Sequence, residues 1–286
     1  MVKENLNGAI VVNKSSNMTS RDVVNVLCKK FNTKSIGHIG TLDPLATGVL
    51  VCLIGKYTKL SNILINHDKE YIASFKLGIL TDTLDITGNV LKEDNTIVNK
   101  DRITKVLNSF IGTYEQEVPI YSAVKINGKK LYEYARNNEK IDLPKREVTI
   151  YSLELLEISE DIITIKTIVS KGTYIRSLIR DIGTRLNTYA TMTNLKRTKL
   201  GNFDINDAYS LDDIKNDNYQ LLSIKDLLDV NIIEIDNDNL LFKVRNGQIL
   251  DINSDKYILF KYHGIEIALY EKINDKIKPC IMLEPR

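Results

Sequence analysis

The sequence has few of the features that mark secreted, metal-binding or membrane-spanning proteins. Its 286 residues include three cysteines, Cys28, Cys52 and Cys280, which are odd in number and far apart. We therefore expect reduced thiols rather than a disulfide framework. No His and Cys residues have the spacing of zinc ligands, so the sequence predicts no metal site.

Long apolar segments are also missing. The uncharged apolar runs have the length of strands, far below the ~20 residues that are needed to cross a bilayer. The first residues, Met1 to Asn5, lack the apolar region of a signal peptide. These absences predict a cytoplasmic protein that does not bind membranes.

The net charge is only +2, but the charges are unevenly distributed. Residues 166–200 contain eight Lys or Arg and one acidic residue, whereas residues 201–240 contain two Lys or Arg and ten acidic residues. Residues 125–146 form a second basic segment, with seven Lys or Arg, three acidic residues and two tyrosines, Tyr132 and Tyr134. A charged segment is usually a solvated face. Two basic segments with aromatic residues favour a surface that binds a polyanion.

One carboxylate stands in a turn rich in glycine. The stretch from Gly37 to Gly48 reads GHIGTLDPLATG, and the apolar run from Val49 to Ile54 follows it. Its glycines permit positive φ, and Pro44 disfavours the helical region for Asp43. A simple Asx turn would explain an isolated Asp-Pro. A loop carboxylate held by rigid neighbours at the end of a core strand is equally a suitable catalytic group.

The apolar periodicity predicts helices and strands in irregular alternation. Thr19 and Asp22 fit a capping box before a helix, and residues 70–77 alternate like a strand with Tyr71 on its apolar face. A helix with Ile103 to Ile111 on it would be closed by Gly112. The remaining elements are strands over 147–157 and 161–169 and a helix after Gly172 with the apolar stripe Ile175, Leu178, Ile179, Ile182 and Leu186. This order predicts an α+β fold with a mixed, largely antiparallel sheet.

Residues 118–146 are too polar and too rich in tyrosine for a core segment. Pro119, Gly128 and Pro144 interrupt the segment and leave one short helical run, Lys129 to Asn137. We interpret the segment as an inserted finger; a disordered surface loop is the alternative.

Three ordered motifs carry a resemblance to a known family. They are the Asp43 stretch, the segment VPIYSAVKINGKKLYEYAR from Val118 to Arg136, and the segment SKGTYIRSLIRDIG from Ser170 to Gly183. The chain resembles the bacterial tRNA pseudouridine synthases of the TruB type, which isomerise a uridine in the T-loop. The likeness covers roughly residues 8–205 and continues more weakly to the end. Where the family usually has Lys-Pro-x-Gly, this chain has Lys14 to Asn17, and Asn17 can adopt the left-handed conformation in place of glycine.

The resemblance implies an enzyme that converts uridine 55 of transfer RNA to pseudouridine by base flipping, without guide RNA or cofactor. Its partner would be the T-arm stem-loop, and it would act as a monomer without a protein partner. The catalytic residues would be Asp43, Tyr71 and Arg176. An ionised Asp43 would attack the base at C6 or the sugar at C1′, Arg176 would keep it ionised, and Tyr71 would offer a flat face and a hydroxyl to the uracil.

Other residues are carried over as substrate contacts. His38 would fill the space that the flipped base leaves, and Tyr174 and Leu195 would line the uracil pocket. In the finger, Lys129, Lys130 and Arg136 would contact phosphates. Lys14 matches a family position, as does the turn Asp82-Thr83-Leu84-Asp85, which turn formation explains nearly as well. Arg180, four residues after Arg176, adds a second arginine to the same helix face.

The resemblance also implies two domains. Residues 1–227 would form the catalytic domain with its inserted finger at about 118–146, and residues 228–286 a small β-rich domain of the PUA-like kind. Beyond about residue 228 the sequence itself predicts short strands with turns at polar clusters such as Asp236 to Asn239. A capping domain without RNA contact is the alternative for the second unit. For the whole chain, the alternative function is a module that binds and refolds transfer RNA, with catalysis secondary or absent.

Overall fold

The computed structural model describes residues 6–252, 254 and 257–284. The strands are β1 (Gly8–Lys14), β2 (Ile36–Ile39), β3 (Thr47–Ile54), β4 (Lys69–Leu77), β5 (Ile79–Thr81), β6 (Val90–Glu93), β7 (Gly112–Glu117), β8 (Lys125–Ile126), β9 (Lys129–Lys130), β10 (Lys145–Ser159), β11 (Ile162–Val169), β12 (Ala190–Leu200), β13 (Phe203–Asp204), β14 (Val230–Glu234), β15 (Tyr257–Tyr262), β16 (Ile265–Ile273) and β17 (Lys276–Met282). The α-helices are α1 (Ser20–Phe31), α2 (Ser61–Leu64), α3 (Lys100–Asn108), α4 (Leu131–Arg136), α5 (Ile175–Arg185), α6 (Leu211–Lys215), α7 (Ile224–Leu227) and α8 (Asp238–Arg245).

The main sheet has the strand order β1-β3-β12-β4-β11-β10-β7, with β2 beside β3 and β13 beside β12. All its pairs are antiparallel except β3 with β12, where Thr47 lies opposite Lys196 and Gly48 opposite Arg197. The predicted α+β fold with a mixed, largely antiparallel sheet is confirmed. The parallel pair joins two segments almost 150 residues apart, which brings the Asp43 loop next to β12.

Two helices pack on this sheet as their sequence patterns predict. The capping box at α1 is formed, because Thr19 accepts from the Asp22 backbone at 3.1 Å and Asp22 accepts from the Thr19 backbone at 2.9 Å. The apolar stripe of α5 is buried along its whole length. Its burial removes a continuous apolar face from water. The burial therefore fixes the rotation of the helix about its axis, and with it the directions of the other side chains.

The helix predicted to end at Gly112 is shorter. α3 ends at Asn108, and the next two residues continue as turns in which Phe110 N donates to Leu107 O at 3.0 Å. Phe110 stays buried although it lies outside the helix, and Gly112, with φ of +116°, starts β7 instead of closing a cap. The apolar pattern therefore extended beyond the helix because a turn can also bury a side chain.

The finger, residues 118–146, has its own local structure. The two-residue strands β8 and β9 form a hairpin whose turn, Asn127 and Gly128, has φ of 50° and 80°. Positive φ at both central residues is the requirement of a type I′ turn, which Asn-Gly meets at least cost. α4 follows directly and covers the predicted short helical run in part. Leu131 is the residue that anchors the helix in the protein, because it is fully buried.

The C-terminal sheet has the order β14-β15-β16-β17, with β14 and β15 parallel. The predicted run of short strands is wrong at residues 238–245, which form α8. The polar cluster before it is a helix cap rather than a turn, since Asn237 Oδ1 accepts from Leu240 N at 2.8 Å. Leu241 and Val244, three apart, bury the inner face of this helix.

The C-terminal sheet has an apolar cluster of its own, which includes Leu241, Val244, Ile258, Phe260 and Tyr270, and it also shares a core with the main sheet. One apolar cluster unites β1 and β3 with β15, β16 and β17; its buried members include Ala9, Val11, Val49, Val51, Leu53, Tyr257, Leu259, Leu269 and Ile281. At this contact Tyr57 Oη donates to Glu266 Oε2 at 2.7 Å and accepts from Ile224 N at 3.1 Å. The division at residue 227 stays a prediction. No helix within the described part of the chain is long and apolar enough to span a membrane.

Candidate active site

A cleft of about 1110 Å³ opens beside the β3–β12 pair. The Asp43 loop, the first part of β4, the start of α5 and the base of the finger form its walls. Seven of the predicted site residues line it: His38, Asp43, Tyr71, Lys130, Tyr174, Arg176 and Leu195. Residues from five separate parts of the sequence therefore meet in one site.

Asp43 and Arg176 form an ion pair, with 2.8 Å between Oδ2 and Nε. Arg176 is only 5% exposed, because it directly follows Ile175, the first buried residue of the α5 stripe, and lies in the wall of the cleft. Its Nη1 donates to Thr83 O and its Nη2 to Tyr121 O, both at 3.0 Å. The guanidinium plane is thus fixed by two carbonyls, and Nε is left to orient the carboxylate.

Asp85, at the end of the turn that matches a family position, lies next to Arg176, although the sequence pattern indicated no role for it beyond turn formation. Its Oδ2 lies 3.9 Å from Arg176 Nη1, and it is buried. The other oxygen, Oδ1, accepts from Thr87 N at 3.0 Å and from Thr83 Oγ1 at 2.9 Å. The sequence signal was the turn Asp82-Thr83-Leu84-Asp85, and the turn is indeed formed, with Leu84 at φ of +63°. The same carboxylate therefore builds the turn and adds negative charge behind Arg176.

The residues on both sides of Asp43 are held by the protein. The Ser20 hydroxyl donates to Leu42 O at 3.1 Å and accepts from Leu42 N at 2.9 Å. On the other side, Asn17 N donates to Pro44 O at 2.9 Å. Asn17 has φ of 62°, so the left-handed conformation that the sequence predicted at this position is confirmed. The loop is therefore rigid in its backbone while the Asp43 carboxylate faces the cleft, about one third exposed.

Lys14 supports this loop from below and does not line the cleft. It is fully buried, and its Nζ donates to the carbonyls of Ser15, Met18 and Pro44 at 2.9, 2.6 and 3.3 Å. Burial lowers the pKa of Lys14 to about 8, an effect that the negative charge of Asp43 opposes. The structure places Lys14 as a support of the turn and of Pro44, away from the space open to a substrate.

His38 stands on β2 and lines the cleft. Its Nδ1 is buried and has no hydrogen-bond partner among the described residues. Burial is the main cause that lowers the pKa of His38, and the positive charges of Arg197 and Arg21 add to it. A neutral ring with an unpaired nitrogen is suited to packing against a base.

Tyr71 and Leu195 lie on adjacent strands, β4 and β12, and Leu195 is paired with Ala73. Both are largely buried, so they present apolar surface to the cleft from the sheet. Tyr174 stands at the first position before α5, where its N donates to Gln116 Oε1 at 2.7 Å. These side chains form two walls of a slot for a planar group beside Asp43.

Within the finger, the three predicted phosphate contacts are placed differently. Lys130 lines the cleft, whereas Lys129 and Arg136 lie outside its lining. Lys129 forms an ion pair with Glu139 at 2.6 Å. Arg180 on α5 is also outside the lining, and it pairs with Glu117 and Asp181, each at 2.8 Å.

The described residues contain no group of three His, Cys, Asp or Glu side chains arranged to hold a metal ion. At the centre of the site one carboxylate, Asp43, pairs with Arg176, and planar, apolar and further basic side chains line the cleft around them. Such a set can bind a planar base, orient a carboxylate toward a sugar and stabilise charge that develops there.

Comparison with known proteins first defines the class. The fold is similar to that in a solved crystal structure of a Cbf5-Nop10-Gar1 complex, with a TM-score of 0.69, 24% sequence identity, and 97% of this chain and 84% of that chain covered. This likeness shows the pseudouridine synthase fold.

The family follows from two family models and from curated relatives. Residues 28–175 match the N-terminal domain of the TruB family pseudouridylate synthases, and residues 176–236 match the C-terminal domain of tRNA pseudouridylate synthase B. The chain is 40% identical to the tRNA pseudouridine synthase B of Mesoplasma florum, with 96% of this chain and 97% of the relative covered. It is 43% identical to that of Clostridium tetani, with 96% and 98% covered. The chain belongs to the TruB family of pseudouridylate synthases.

Proposed function

We propose that this protein isomerises the T-loop uridine of transfer RNA at position 55 to pseudouridine, as a monomer in the cytoplasm without a guide RNA or a protein partner. The observation that carries the proposal is the Asp43–Arg176 ion pair at the wall of a cleft that Tyr71 and Leu195 also line. A binding module has no need for a carboxylate fixed at hydrogen-bond distance from a buried arginine.

The reaction breaks the bond from C1′ to N1, turns the uracil and forms a bond from C1′ to C5. The proton leaves C5 and a proton is gained at N1, so the base keeps its composition. Asp43, held by Arg176, reacts at C1′ or C6 or stabilises positive charge on the sugar. Tyr71 and Leu195 hold the uracil while it is detached, because a free base that left the slot could not be rejoined.

The target uridine must leave its stack before Asp43 can approach the ribose. His38, which lines the cleft, occupies the place that the flipped nucleotide leaves in the T-loop. Its neutral ring costs less to bury against bases than a charged one would. The finger adds cations that contact the backbone of the T-arm, and one of them, Lys130, lines the cleft.

The alternative is a module that binds and refolds transfer RNA without needing catalysis. The basic finger and the cleft support binding in either case. The two functions differ in what they require of Asp43, because a refolding module would work equally well with an amide at this position.

The decisive experiment incubates the protein with an unmodified tRNA transcript and maps pseudouridine by a chemical method, since isomerisation leaves the mass unchanged. We expect one modified position, in the T-loop, and none in a transcript with cytidine there. The same measurement with Asp43→Asn separates the two functions. Loss of pseudouridine with unchanged tRNA refolding would support both activities, whereas refolding by the parent protein without any pseudouridine would contradict the enzymatic proposal.

A further inference from the structure

Two buried cations lie in the cleft wall formed by β12 and the start of β4. Arg197 is 1% exposed and Lys69 is 8% exposed. Lys171, which is exposed, lines the same cleft. These charges act on one another: burial is the main cause that lowers the pKa of Lys69 to about 8, and the charges of Arg197 and Lys171 add to it while Asp68 opposes it.

Neither buried cation has an acidic partner among the described residues. Arg197 donates from Nε to Val49 O at 2.8 Å and from Nη2 to Gly40 O at 2.7 Å. Lys69 donates to the carbonyls of His67 and Ile65. Carbonyls satisfy hydrogen bonds but do not neutralise charge, and buried charges in proteins are normally paired.

One nitrogen of Arg197 remains available. None of the described residues accepts a hydrogen bond from Nη1, which faces Gly40 at the base of the Asp43 loop. A Cβ at Gly40 would stand 3.2 Å from this nitrogen, so any larger residue would press on it. The missing side chain at Gly40 leaves the approach to the guanidinium open, and φ of +66° at this residue favours glycine for a second reason.

We infer that Arg197, Lys69 and Lys171 form a phosphate subsite, which binds the phosphodiester group adjoining the nucleotide that reacts at Asp43. This inference rests on the proposed function, because an RNA that enters the cleft brings phosphate as its anionic group. A guanidinium with a free nitrogen matches phosphate oxygens well. The phosphate charge compensates the two buried cations that the protein leaves unpaired.

The position of Arg197 gives the subsite a second consequence. Gly40 O and Val49 O, the two carbonyls that it binds, lie on either side of the loop that carries Asp43. A phosphate at Nη1 therefore stabilises the same guanidinium that joins the two ends of this loop. The subsite fixes the substrate backbone and the catalytic loop to one side chain.

The subsite can be tested by replacing single phosphates of the RNA with uncharged methylphosphonates, while the protein is left unchanged. T-arm stem-loops would be made with a single methylphosphonate at each position from the stem through the loop, and their affinity measured. Losing one charged hydrogen-bonded contact should weaken binding about tenfold or more at a phosphate adjoining the reacting uridine. In Lys69→Met, whose side chain is of similar size but uncharged, this penalty should fall by about threefold or more, because only Arg197 and Lys171 still contact the phosphate, while the other positions keep their penalties.

Lys76→Met is the matched control, because Lys76 lies on the same strand β4, pairs with Asp161 and lies outside the cleft. It should keep the full methylphosphonate penalty. The inference is overturned when no phosphate adjoining the uridine is sensitive, or when Lys69→Met shows the same penalty as the parent. Pseudouridine formation in the unmodified stem-loop is measured in the same experiment. If the proposed function is wrong, no pseudouridine forms, but the methylphosphonate effects on affinity can still be measured.

Discussion

The Asp43 loop and the finger both place positive charge beside the cleft, but they hold it in opposite ways. Around the loop, Lys14, Arg176 and Arg197 are buried and their donors reach backbone carbonyls. In the finger, the cations lie near aromatic rings: Lys129 over Tyr134 at 4.6 Å, and Lys130 and Arg136 over Tyr132 at 5.3 Å each.

The difference suggests two roles for the cations: those around the loop position catalytic groups, and those in the finger attract the RNA backbone. A buried cation fixes what it contacts, and salt in solution hardly screens it. A partly or fully exposed cation over a tyrosine ring can follow a backbone phosphate, and salt weakens its effect. Changes near the loop should therefore affect the rate of reaction, whereas changes in the finger should affect binding.

The largest effect is expected for Asp43→Asn. The amide keeps the size of the side chain but removes the charge and the nucleophile, so turnover should fall to less than about one percent of the parent rate. Binding of tRNA should change by less than about tenfold. Single-turnover pseudouridine formation and a binding titration measure both quantities; turnover above that level would show that another group performs the chemistry.

Arg176→Lys is expected to reduce the rate by about ten- to a thousandfold, because the ammonium keeps the charge but cannot contact Asp43, Thr83 O and Tyr121 O in one plane. Circular dichroism should show an unchanged fold. Asp85→Asn, which leaves the Arg176 contacts to carbonyls in place, should have a smaller effect on the same rate. Normal kinetics for Arg176→Lys would mean that Asp43 is positioned by other residues.

In the finger, changing Lys129, Lys130 and Arg136 together to Ala should weaken binding to cognate and unrelated RNA alike. The slope of log affinity against log salt should become flatter by up to about two units, at ~0.7 to 0.9 per phosphate contact. The expected change in slope corresponds to two phosphate contacts rather than three, because Lys129 already pairs with Glu139. An unchanged salt slope would show that these side chains do not reach the backbone, and an unchanged single-turnover rate at saturation is the control.

The smallest effect concerns pH. An unfolded lysine keeps its ordinary pKa of 10.5, whereas folded Lys14 has a pKa of about 8, so the unfolded chain binds the extra proton between these values. Stability should therefore rise as the pH increases from 8 to 10.5. In Lys14→Met this rise should be smaller by the order of 1 to 3 kcal/mol. Urea unfolding at several pH values measures it.

Lys76→Met is the control for this experiment as well, since Lys76 is half-exposed. It should keep the pH dependence of the parent protein. If Lys14→Met and the parent show parallel curves, the ammonium of Lys14 is not destabilised by burial. Lys69 contributes in the same direction and stays present in both proteins.

Local patterns predicted the elements of this fold where burial follows the period of one helix or strand. The α1 cap, the buried face of β4 and the stripe of α5 are examples, because each depends on neighbouring residues in the sequence. The helix at 238–245 was missed, since a polar cluster serves equally as a turn or as a helix cap. The choice between a turn and a helix depends on whether Leu241 and Val244 can pack against another part of the fold. That part is distant in the sequence, so the local pattern does not reveal it.

The same limit applies to the site. Asp43 and Arg176 stand in long motifs and Tyr71 on an alternating strand, and their meeting in one cleft agrees with the prediction, while their roles stay predictions. Arg197 could not be selected, because in the sequence it is one of eight basic residues between positions 166 and 200. Its importance depends on the parallel pairing of β3 with β12, a contact between distant segments that charge counting cannot show.

That parallel pair also bears on how the protein folds. Pairing Thr47 with Lys196 closes a loop of nearly 150 residues, and contacts of such long range form slowly. The cleft needs residues 43, 71, 176 and 197 at once, so no early, partly assembled chain can contain it. During refolding, the helical circular dichroism signal should therefore recover before catalytic activity. The delay between the two would measure the time that β3 and β12 need to pair.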